Sequence, residues 1–129
     1  MGNTVVVIAR ILLGLIFVFF GAQGFVHFIP VPPIPGTAGA FLGAMETSHY
    51  VWFTSGVQLI AGLLLLANRY VPLAIVALGA VIANILVFHL TMMPSGLPLP
   101  IIVTVLWFVV ALPLRSHFAP LFAQQVRMR

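Results

Sequence analysis

Five polar side chains stand in otherwise apolar surroundings in this 129-residue chain: Gln23, His27, Gln58, Asn84 and His89. Amides and imidazoles can hold the oxygen atoms of an apolar ligand through hydrogen bonds. Counted from the ends of their segments, Gln58 and Asn84 fall in the same half as Gln23, His27 and His89, so the five are expected to converge on one pocket. Gln23 and His27 are four apart, which on a helix places them on one face. Glu46 and His49 form an E-x-x-H spacing, which on a helix would also put both groups on one face. Together with His27 and His89 they would supply a zinc or copper site. That is the weaker alternative, and no metal site is expected, because carboxylate-bridged metal bundles need two such motifs and further glutamates. This chain has one acidic residue.

Other chemistries are poorly provided for. Cysteine is absent, which removes thiolate ligation, disulfides and thiol exchange. No nucleophile–base pair, no paired carboxylates and no phosphate-binding glycine loop is evident, so no independent catalytic activity is expected. The five arginines give a basic chain but are scattered beside apolar segments, without the clustered basic face that nucleic acid requires.

The elements that must position these residues follow from composition. The chain is 63% hydrophobic and 5% charged, where a globular average is about 25% charged, and its mean hydropathy is +1.26. Such a chain cannot cover a water-soluble surface and is expected in a bilayer. Four apolar runs approach the roughly 20 residues needed to cross one. They lie near 5–28, 50–67, 71–91 and 97–114, making residues 1–129 a single transmembrane domain. The fold class expected is an all-α four-helix bundle. Residues 29–49 form a loop on one side, and 115–129 a tail on the other. The apolar part of the first run is longer than a usual signal core, so an uncleaved anchor is expected there.

Basic residues are retained on the cytoplasmic side. Arg10, Arg69, Arg115, Arg127 and Arg129 all fall on one side of a four-span chain, which predicts both termini in the cytoplasm, with Arg10 and Arg69 as anchors at that face. Arg10 is expected to reach the headgroups with its long stem. The 29–49 loop is then external. It opens with four prolines between positions 30 and 35, which end the first helix. The stretch "GTAGAFLGAMETSHY" then predicts a short interfacial helix with Phe41, Leu42 and Met45 on one side, able to cap the bundle as a lid. On the first helix, Arg10, Gly14, Phe17, Gly21 and Gly24 form a stripe whose glycines predict close contact with another helix. Trp52, Tyr50 and Trp107 are read as interfacial anchors or packing residues.

"RILLGLIFVFFGAQGFVHFIPVPPIP", "GLLLLANRYVPLA" and "ANILVFHL", in that order, resemble the DoxX family of small four-helix bacterial membrane proteins. The resemblance runs from Arg10 to about Phe122. It implies a bundle in the bacterial inner membrane with polar residues facing its interior, and an association with quinone-linked and oxidative-stress complexes. Arg10, Gly14, Gly21, Asn84 and His89 match the family pattern. Gln58 stands where many members have glutamate, which removes a carboxylate able to shuttle protons and leaves hydrogen bonding intact.

Two functions are therefore carried forward. One is a redox-accessory subunit that binds a quinone or similar apolar ligand in the pocket of Gln23, His27, Gln58, Asn84 and His89, the last four as donors to its carbonyl oxygens, with a protein partner in a membrane redox complex. The other is a non-catalytic scaffold whose polar residues only lock the helices. A homo-oligomer is compatible with either.

Overall fold

The computed structural model describes residues 2–128. Among them all regular structure is helical: α1 (Gly2–Gln23), α2 (Gly36–Thr47), α3 (Val51–Ala67), α4 (Val71–Met92), α5 (Pro98–Ala111) and a short α6 (Arg115–Phe118), with 3-10 turns at Pro94–Gly96, Leu112–Leu114 and Ala119–Phe122. The long helices α1, α3, α4 and α5 form a ring in which α1 packs on α3 and α5, and α4 packs on α3 and α5. Among the described residues three helical segments are long and apolar enough to cross a membrane, or four if α2 and α3 are taken as one bent span. α3 alone has 17 residues, about 26 Å at 1.5 Å per residue. The axes of α2 and α3 differ by 84°, so α2 lies across the bundle end, as expected of a capping helix.

The outward surface is apolar along its length: Ile8, Leu15, Phe53, Ile60, Leu73, Val87 and Val105 are all exposed. The core is a thin strip of Leu13, Phe17, Leu65, Ile75, Leu78 and Val110. Helices with so little hydrophobic contrast between core and surroundings associate through close packing of small residues. The α1–α3 pair does this. A methyl group added to Gly21 would lie 2.6 Å from the Leu59 nitrogen, and one on Gly62 would lie 2.8 Å from the Val18 nitrogen. A methyl on Gly24 would collide with the Ser55 hydroxyl. These pairings run antiparallel, and the glycine stripe of α1 is the contact face that its spacing predicts.

Local chemistry explains each helix end. α3 stops in a Schellman motif: Asn68 adopts a left-handed conformation (φ 56°), the Arg69 N–H donates to the Leu64 carbonyl at 3.0 Å, and the Asn68 N–H donates to Leu65 at 3.2 Å. Pro72 then enters the first turn of α4. α1 stops at Gln23, five residues before the expected end at 28. The reason is the Gln23 side chain, whose Oε1 accepts from the Phe28 and Ile29 N–H groups at 2.9 and 3.1 Å while Nε2 donates to the Ile29 carbonyl at 2.7 Å. His27 therefore lies in the following turn and shares no helical face with Gln23.

Arg10 donates to the Leu65 carbonyl at the end of α3, where the helix dipole is negative. The expected headgroup anchor thus ties α1 to α3. Trp107 donates its indole N–H to the Ile75 carbonyl at 2.8 Å, joining α5 to α4. Its ring passes over Gly79, where a methyl group would come within 3.1 Å of it. These contacts place Arg10, Arg69 and the start of the 115–129 segment at one end of the ring and the proline segment with α2 at the other. Helical turns continue through Phe122, so the expected tail is structured over its first half. Arg129 lies outside the described residues.

Candidate functional site

At the proline-rich end the four long helices separate around a cavity of about 1190 Å³. Ligand pockets typically run from about 300 to 1,000 Å³, so this space exceeds a packing defect. Small side chains at Gly24, Ser55, Ala77 and Ala80 leave it open, and Phe17, Ile82 and Val103 close its floor. α2 covers one side with Phe41, Leu42 and Met45, and the Phe41 ring lies 5.6 Å from that of Phe88 on α4. The face expected of α2 is the face it turns to the bundle.

Gln23, His27, Gln58, Asn84 and His89 all line this one cavity. The side-chain bonds set what each can still do. Gln23 is committed to the turn after α1. Asn84 donates one N–H to the Ala80 carbonyl at 2.9 Å. His89 makes a 2.8 Å bond from Nδ1 to the Ile85 carbonyl; a carbonyl only accepts, so Nδ1 carries the hydrogen. The remaining groups, Asn84 Oδ1 with its second N–H and His89 Nε2, have no protein partner among the described residues, and neither does the Gln58 amide. With Nδ1 so engaged, neutral His89 keeps an acceptor at Nε2, where a donor is expected from the sequence.

His27 pairs with Glu46: its Nε2 lies 3.3 Å from each carboxylate oxygen. Both groups are about half exposed, so the pair links the turn after α1 to the end of α2 at the cavity mouth. Glu46 and His49 do not share a helical face. α2 ends at Thr47, and His49 turns left-handed (φ 63°) to stack on Trp52 at 4.5 Å. His49 is not among the cavity-lining residues, and among the described residues no three His, Cys, Asp or Glu side chains come together to hold a metal. The metal alternative built on His27, Glu46, His49 and His89 therefore does not assemble.

Two contributors escaped the sequence reading. Ser55, buried against Gly24, lies three residues before Gln58, a spacing that puts both on one face of α3. Gly96 gives the His89 ring its place, since a methyl group there would lie 2.7 Å from Cδ2 and 3.0 Å from Nε2.

Comparison with known proteins returned no matching family model, no similar curated protein and no similar solved structure.

Proposed function

We propose that this chain is a multi-pass membrane protein that binds an apolar, oxygen-bearing ligand of the quinone kind in the cavity beneath α2. The observation that carries the reading is the combination of a large apolar cavity with unpartnered polar atoms of Gln58, Asn84 and His89 on two of its walls. None of the three side chains is sealed in the packing, so a ligand oxygen has access to their free donors and acceptors. The resemblance of the Arg10–Phe122 stretch to the DoxX family supports the same reading, with an inner-membrane location, cytoplasmic termini and a role beside a redox partner instead of independent catalysis. Distribution of the arginines at one bundle end supports the orientation.

The test is a titration of the purified protein, in lipid nanodiscs, with a short-chain ubiquinone in either redox state. Asn84→Ala combined with His89→Ala is expected to weaken binding of the reduced form by roughly 30-fold, from two hydrogen bonds of about 1 kcal/mol each. Undiminished binding in that double variant removes the site. A stoichiometric protein partner copurifying with no small molecule would favour the scaffold function.

A further inference from the structure

We infer that the α4 wall of the cavity recognises a hydroxyl group, so that the site prefers the hydroquinone or another phenolic ligand over the matching quinone. This deepens the ligand reading above and rests on it. Asn84 and His89 each donate back along α4, to the carbonyls four residues earlier. A carbonyl oxygen can only accept, so each bond identifies the atom facing it as an N–H. The identity of the opposite atom follows: Oδ1 of Asn84 and Nε2 of neutral His89 are lone-pair acceptors, both on residues that line the cavity, and because Asn84 keeps a second N–H that can also donate, only the His89 position is restricted to a hydroxyl.

The chain's one carboxylate, Glu46, is engaged by His27, so no side-chain carboxylate is left to face the His89 ring. A ligand carbonyl placed beside His89 Nε2 would set one acceptor against another and leave both without a hydrogen. A ligand hydroxyl supplies that hydrogen. Gln58, on the α3 wall, has a free amide that both donates and accepts, so it accommodates the far oxygen in either redox state. The discrimination therefore lies at His89, whose Cδ2–Nε2 edge lies beside the side-chain-free Gly96.

The experiment compares the affinities of decylubiquinol, kept reduced under anaerobic conditions, and decylubiquinone, for the full chain in nanodiscs. The wild-type chain is expected to bind the reduced form about tenfold more tightly, the size of one hydrogen bond made against one acceptor left unpaired. His89→Gln, whose amide can donate as well as accept, is expected to reduce the preference to about twofold or less while still binding both forms. Equal wild-type affinities for the two forms, or a preference for the quinone, would overturn this inference and leave the ligand reading standing. Failure of both forms to bind would overturn the ligand reading and this inference together.

Discussion

Gly21 offers the most quantitative test of the bundle. A methyl group there would lie 2.6 Å from the Leu59 nitrogen, 2.8 Å from its Cα and 2.9 Å from its Cβ, where ordinary contact begins at 3.4 Å. The nearest obstruction is backbone, which cannot rotate aside, so Gly21→Ala must push α1 and α3 apart by up to 0.8 Å along that direction. Strain of this kind in a close-packed interface typically costs 1–3 kcal/mol, and the expected destabilisation is about 2 kcal/mol. Gly14 supplies a graded comparison, because the groups nearest its added methyl are Leu66 side-chain carbons at 2.9 and 3.0 Å, which can rotate away, and its one backbone obstruction, the Gly62 carbonyl oxygen, is farther off at 3.1 Å. Its alanine variant is expected to lose about 1 kcal/mol. Gly43, with nothing within 4 Å, is the control, and Ala there should be neutral or stabilising by up to about 1 kcal/mol through helix propensity. Reversible unfolding by sodium dodecyl sulfate in mixed micelles, followed by circular dichroism, measures all three. Equal stabilities for the Gly21 and Gly43 variants would refute the α1–α3 packing described above.

Trp107→Phe keeps the ring packed over Gly79 but removes the bond to Ile75, and is expected to cost about 1 kcal/mol in the same unfolding assay. Arg10→Ala removes a charge-assisted bond at the end of α3, and should cost about 1.5–3 kcal/mol, with Arg10→Lys recovering part of it. Glu46→Gln weakens the link between α2 and the turn after α1. As a half-exposed pair it should change global stability by less than about 1 kcal/mol, while hydrogen–deuterium exchange across Gly36–Thr47 rises as the helix loosens from the cavity mouth; unchanged exchange there would show that the pair does not hold α2.

Much of the architecture was legible in the amino-acid order because a helix that must be apolar on all sides leaves little ambiguity in its boundaries. α3 and α4 fall within a residue of their expected limits, and the glycine spacing of α1 named its contact face. The convergence of the five polar residues followed from counting depth along helices. What escaped depends on which backbone atom a side chain finds. Gln23 ends α1 by folding onto Phe28 and Ile29, a bond between residues five and six apart that no periodicity reveals. His49 reads as helical from its spacing to Glu46, yet α2 stops before it, and Glu46 finds a partner 19 residues earlier. The hydrogen on His89 Nδ1 was hidden for the same reason, since an imidazole nitrogen can donate or accept and only the Ile85 carbonyl decides which it does.

A ligand site beneath α2 requires that the cavity hold a molecule. Native mass spectrometry of the protein released from membranes, compared with an Ala80→Phe variant that fills the cavity from α4, reads this in one measurement. The wild-type chain is expected to carry a stoichiometric apolar adduct that dissociates on activation, and the Ala80→Phe chain to carry none. A wild-type chain free of any adduct, or an adduct retained unchanged in Ala80→Phe, would contradict a ligand site beneath α2.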